Sequence, residues 1–180
     1  MGSLDRAEHA PSRELDEPPV SFIGRALGGG KFLIQSLLKA GAMGAIYRAH
    51  HVPLDKSVCV KVMHRELATD ERFVRRFHRE AKAASRLDHP SSVHVLDFGR
   101  EPDGTLFIVM ELLNGTDLFE VIQREAPLEP RRVADITCQL LSVLGAAHDA
   151  GILHRDLKPE NIMLVPSGDD DERGEVVKVC

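Results

Sequence analysis

The stretch that most restricts this chain is His154, Arg155, Asp156, Leu157, Lys158, Pro159, Glu160 and Asn161. It places a carboxylate, a cation and an amide on one short loop. A helical pattern ending at Gly151 precedes it, and the apolar run 162–165 follows. Pro159 fixes φ and stiffens the middle of the loop. An Asp five residues before an Asn can accept a hydroxyl proton at one end and help hold a magnesium ion at the other. A Lys two residues past that Asp can offset the charge of a phosphoryl group in transfer.

The rest of the sequence removes competing classes of function. The 180 residues carry 23 Lys and Arg against 28 Asp and Glu, a net charge of −5, so no global basic footprint points to nucleic acid. Tyr47 is the only tyrosine and tryptophan is absent, so aromatic platforms for single-stranded nucleic acid are excluded. The longest apolar run, 106–110, is too short to cross a membrane, and no basic-then-apolar leader opens the chain. Cys59, Cys138 and Cys180 are odd in number and widely spaced, a pattern of free thiols that suits a reducing cytoplasm.

Residues 1–20, acidic and proline-bearing, read as a disordered leader. Phe22, Ile23 and Gly24 form a lead-in, and Gly28, Gly29 and Gly30 a joint at which the folded part starts. Segments 31–38 and 45–50 read as strands. The turn between them, 39–44, is either an ordinary hairpin or one whose glycines let backbone amides approach phosphates. Segment 58–63 is a β-branched run with Lys61 inside it, a cation that must find an anion or snorkel to an edge. Residues 70–87 read as a helix with Phe73, Phe77, Ala81 and Ala84 on one stripe. Glu80 lies on that stripe, and Lys61 is its candidate partner. The arginines 72, 75, 76 and 79 around it read as a solvated helix face. Two strands, 93–98 and 106–112, are joined through the turn signal Pro102, Asp103 and Gly104. Helices follow over 117–125 and 130–150, the second with Val133, Ile136, Leu140, Leu144 and Ala147 on one face and Gly151 as its stop. Strands at 162–165 and 176–180 flank an acidic turn.

Taken together, 154–161 resembles the catalytic loop of the protein kinases, and the chain is similar to the eukaryotic-like Ser/Thr kinases of bacteria. The resemblance runs over residues 22–180. It implies an α+β fold: a small lobe at about 30–112, with a five-stranded antiparallel sheet and one helix, then a partial, mainly helical large lobe at about 116–180. It implies ATP and Mg2+ as cofactors and a protein bearing Ser or Thr as substrate. Asp156 would be the catalytic base and Lys158 its charge-offsetting neighbour. Lys61 would meet the α- and β-phosphates, latched by Glu80, and Asn161 would be a metal ligand. Gly41 and Gly44 would cover the phosphates, while Lys39 stands where the family has its first glycine. Ile46, Cys59 (in place of a smaller alanine, lowering the roof), Met110 as gatekeeper and Met163 would enclose adenine. The backbone of Glu111 and Leu113 would bond its edge, and Asp117 would reach the ribose.

The Asp-Phe-Gly motif that the family carries next is not within these 180 residues. The expectation is therefore a kinase domain incomplete at its C-terminus and inactive as this polypeptide. An apolar patch around Leu140 and Leu144 would then be exposed and promote self-association. A non-catalytic module that binds nucleotide or a partner is the alternative in another class. A small-molecule kinase is disfavoured by Lys158 at its position.

Overall fold

The computed structural model describes residues 21–167 and 174–180, so the expected leader at 1–20 and the centre of the acidic turn lie outside the described residues. The strands are β1 (Ala26–Leu27), β2 (Phe32–Gly41), β3 (Gly44–His51) and β4 (Lys56–Met63). Helix α1 (Glu71–Ala84) precedes β5 (Val95–Arg100) and β6 (Leu106–Glu111). Then come β7 (Thr116–Asp117), α2 (Leu118–Glu125), α3 (Pro130–Asp149), β8 (Ile162–Pro166) and β9 (Glu175–Val179). One sheet has the order β1-β2-β3-β4-β6-β5 and a second has β7-β8-β9; every pairing between these strands is antiparallel. The expected five strands are present, with β1 added at one edge, so the folded part begins before the three glycines rather than at them.

Alternation explains what the first sheet presents to each side. On β4, Val58, Val60 and Val62 are fully buried and join Phe32, Ile34, Tyr47, Phe107 and Val109 in the small-lobe core. Because successive side chains point to opposite faces, Cys59 and Lys61 are turned the other way and are only half-buried. The pattern that builds the core therefore also delivers the two residues expected at the nucleotide.

Asp70 caps α1, its Oδ1 accepting from the Arg72 amide at 2.8 Å. Phe77 buries against Met63, Ala68 and Leu106, with Phe73 half-buried beside it, and Ala81, one turn on, is buried as well. His78 meets Phe98 of β5 edge-on, ring centroids 5.9 Å apart. Glu80 is exposed, not on the buried face as expected. The helix seats Phe77 and Ala81 into the core, and Glu80, one residue and about 100° short of Ala81, is left facing solvent.

In the large lobe, Ile136 and Val143 of α3 bury with Leu118, Val121, Ile162, Leu164, Val177 and Val179, Leu140 packs against that cluster, and Ala147 is buried further along the helix. The spacing 136, 140, 143, 147 is the i, i+4, i+7, i+11 stripe of a helix seated on a core. The expected patch is thereby corrected: Leu140 and Leu144 are half-buried, and the exposed apolar side chains of α3 are Val133 and Leu141. No described helix is long and apolar enough to cross a membrane.

Strand β9 joins the lobes from behind. The Val93 amide donates to Val179 O at 3.0 Å, and the Val179 amide to Ser91 O at 2.8 Å. Lys178 Nζ donates to Ser92 O at 3.2 Å and to Glu111 Oε1 at 2.8 Å. Burial works against the Glu111 carboxylate, but Lys178 and the His94 amide outweigh it and hold its pKa below the ordinary value. A carboxyl with a depressed folded pKa contributes stability that is complete above its unfolded pKa and fades as pH falls through the folded one. We therefore expect the advantage of the native chain over Glu111→Gln, measured by urea unfolding, to shrink from neutral pH towards pH ~3, below the ordinary glutamate pKa. A pH-independent difference would remove Glu111 as an acid-sensitive tie.

Candidate active site

The roof of the site is the β2–β3 hairpin, in which Gly41 pairs with Gly44. Gly44 is required twice over. Its φ is +153°, and a Cβ there would lie 2.1 Å from Val62 O on the neighbouring strand. Ile46 is paired with Lys61 on β4, and Cys59 with Met110 on β6; all four are half-buried. Strand β6 ends at Glu111, and among the described residues the Leu113 amide makes no hydrogen bond, which leaves it free for a ligand. Below, Asp117 and Met163 are register partners on β7 and β8.

Burial pushes the Cys59 thiol up to about 11, which keeps it protonated at neutral pH.

The loop beneath is internally bonded. Asn161 Nδ2 donates to Asp156 O at 2.7 Å and to Asp156 Oδ2 at 3.0 Å, and Lys158 Nζ lies 3.2 Å from the same Oδ2. Pro159–Asn161 forms a single 3-10 turn, closed by the Asn161 amide on Lys158 O at 2.9 Å. His154 Nε2 lies 3.0 Å from Cys180 O, and the Cys180 amide donates to Asn161 O at 2.9 Å, so β9 and the loop hold each other. Lys158 first, then Asn161, hold the Asp156 carboxyl below its usual pKa. It is an exposed, ionised base with its partners already in place.

A magnesium ion takes oxygen donors in near-octahedral array. Asn161 spends its Nδ2 on Asp156, so its Oδ1 is available as one such donor. Among the described residues no group of three or more His, Cys, Asp or Glu side chains gathers where it could hold a metal. The fit is partial: one neutral ligand beside one carboxylate.

One expected contact is absent. Glu80 does not reach Lys61; its Oε1 accepts from Arg155 Nη1 at 3.1 Å, and Lys61 has no ion pair among the described residues. The cause is the seating of α1, which turns Glu80 outward and towards the catalytic loop. Arg155 meets it from a left-handed backbone, φ 65°, which non-glycine residues rarely adopt. Sequence reasoning missed Arg155, although it lies inside the loop, and missed Lys178 as the partner of Glu111. It marked Lys39 as a departure without its partner: Lys39 Nζ lies 3.2 Å from Asp117 Oδ2. None of these pairings has a sequence signal, because each joins residues 67 to 78 positions apart.

Residues 32–180 match the family described as the protein kinase domain. The Ser/Thr-protein kinase pkn3 of Myxococcus xanthus is 51% identical over 145 residues, which are 81% of this chain and 26% of that protein. The Ser/Thr-protein kinase PrkC of Bacillus subtilis is 39% identical over 143 residues, 79% of this chain and 22% of PrkC. The chain thus spans about a quarter of the length of these relatives. A crystal structure of the Mycobacterium tuberculosis PknI kinase domain superposes with a TM-score of 0.73 at 29% identity, over 87% of this chain and 59% of that one. With a two-lobed fold of that kind and a catalytic loop matched along its whole length, the chain belongs to the protein kinase domain family, among the eukaryotic-like Ser/Thr protein kinases of bacteria.

Proposed function

We propose that this chain provides the nucleotide cleft and catalytic loop for transfer of the γ-phosphoryl group of ATP to Ser or Thr hydroxyls of a protein. Use of ATP with Mg2+ is general to the family. The observation that carries the proposal is the Asp156–Lys158–Asn161 cluster: an exposed carboxylate, kept ionised, with a cation and an amide bonded to it. Asp156 orients the attacking hydroxyl and receives its proton, while Lys158 offsets charge on the phosphoryl group in flight. Lys61 meets the α- and β-phosphates beneath the backbone of Gly41 and Gly44. Adenine lies between Ile46 and Cys59 above and Met163 below, with Met110 behind it and the Glu111 and Leu113 backbone at its edge. Asp117 takes the sugar. Magnesium, when bound, supplies charge neutralisation across the phosphates, and Asn161 Oδ1 would be one of its ligands. The cytoplasm, which holds ATP and keeps thiols free, is the compartment this reading implies.

The test is calorimetric titration of ATP into the chain and into Lys61→Met, which keeps bulk and removes the cation. Loss of a hydrogen-bonded charge contact costs about 1.5–3 kcal/mol, so affinity falls roughly ten- to a hundredfold. Equal affinities would show that Lys61 does not contact phosphate. The alternative, a non-catalytic nucleotide-binding module, has one observation in its favour: Glu80 is on Arg155 and not on Lys61. Nucleotide binding with no transfer in any longer natural form of the chain would select it.

A further inference from the structure

We propose that Lys39 is a specificity-determining residue of the nucleotide cleft: by pairing with Asp117 it competes with the sugar hydroxyls and weakens discrimination for ribose. The inference rests on the nucleotide-site reading above and adds to it a residue that the family pattern does not contain, since the family has glycine at this position.

Asp117 has little freedom. Its Oδ1 accepts the Glu120 amide at 2.9 Å, capping α2, and its backbone is held in β7 against Met163. Its Oδ2 is the oxygen left for a ligand, and that oxygen is on Lys39 at 3.2 Å. The Asp117 side chain is 21% exposed and the Lys39 side chain 52%. Lys39 can therefore leave, whereas Asp117 cannot move to meet a sugar elsewhere. The strand that carries Lys39 is also adapted to the reach. Its register against β3 shifts between Leu37 and Lys39, and Lys39 then pairs with Ile46, the residue expected over the base. The ammonium thus bridges the small-lobe hairpin and the start of the large lobe, 78 residues apart in sequence, across the mouth of the cleft.

A partly exposed Lys–Asp pair is worth up to about fivefold in an equilibrium. A nucleotide that bonds its hydroxyls to Asp117 must displace Lys39 and forfeits that factor; one that lacks the hydroxyls forfeits nothing. By population-shift arithmetic the preference for ribose is divided by one plus the pairing constant. If the phosphates drew Lys39 off Asp117, both nucleotides would forfeit the pair and Lys39→Met would leave their ratio unchanged.

The experiment measures the dissociation constants of ATP and 2′,3′-dideoxy-ATP for the chain, Lys39→Met, Lys39→Arg and Asp117→Asn, with Lys61→Met as a control on the site. Lys39→Met keeps the stem and removes the charge, and it is expected to raise the preference for ATP by up to about fivefold. Lys39→Arg restores the pair and should return the ratio to the native value, and Asp117→Asn should leave little preference. If Lys39→Met shifts both nucleotides equally, or neither, Lys39 does not contest the sugar and the proposal is overturned. If neither nucleotide binds, or Lys61→Met alters nothing, the nucleotide-site reading itself fails and the proposal falls with it; that result is distinct from an unchanged ratio.

Discussion

A polypeptide of these 180 residues is expected to transfer no phosphate from radiolabelled ATP to Ser/Thr peptides above the level seen with Asp156→Asn. Phosphoryl transfer depends on positioning and on neutralising charge. The described residues bring a base and a cation to the reacting end, but only one neutral oxygen for a metal, from Asn161. The carboxylate expected to brace Lys61 is on Arg155. Each loss of about 1.4 kcal/mol is tenfold in rate, so two deficits of about 3 kcal/mol each lower the rate by about 10⁴ or more. Turnover that vanishes in Asp156→Asn would refute this and would require another carboxylate, from the acidic run 169–172 or from a second copy, to take the metal.

Gly44→Ala is expected to cost more than any other single-methyl change in the roof. The added carbon would sit 2.1 Å from Val62 O and 2.9 Å from Met63 Cα, both backbone atoms of β4 that cannot rotate away. The φ of +153° adds strain of about 1–3 kcal/mol for a residue with a side chain. With the clash, the loss should reach about 3 kcal/mol, a fall in melting temperature of roughly 6–12 °C for a domain of this size. Nucleotide affinity should fall with it, because the start of β3 must pull off β4 over the proposed phosphate position. Gly41→Ala is the control. Its Cβ would meet only Gly44 O at an ordinary 3.6 Å, so its melting temperature should stay near that of the native chain. Matching shifts in the two variants would show that the close approach at Gly44 is not what the hairpin depends on.

The sequence made the long strands and helices legible because each carries a period that burial enforces. The alternation in β4 and the 136–147 stripe of α3 appear in the fold within a few residues of the expected limits. The apolar spacing predicts a helix over 70–87, and α1 spans Glu71–Ala84, since Asp70 serves as the cap and the helix closes at Ser85. Strands β1 and β7 were not legible. Two residues have no period, and each exists only because a longer neighbour offers an unpaired edge. The catalytic loop could be read whole because its partners are near in sequence: Asp156, Lys158 and Asn161 meet within one turn. Lys61 and Glu80 could not be judged in the same way. Spacing fixes where a side chain lies around its own helix, but not how that helix is rotated on the sheet. Here the rotation that buries Phe77 and Ala81 leaves Glu80 to Arg155.

The pairing of Thr116 and Asp117 with Leu164 and Met163 has a mechanical consequence. The Asp117 carboxylate and the Met163 thioether are carried on one backbone-paired piece, although 46 positions separate them in the chain. Strand β9 is fastened to Ser92 and Glu111, whereas the β2–β3 hairpin meets this piece through the Lys39–Asp117 side-chain pair and not through a strand ladder. A nucleotide bound as proposed would then rest on a backbone-paired piece on one side and meet an exchangeable ion pair on the other.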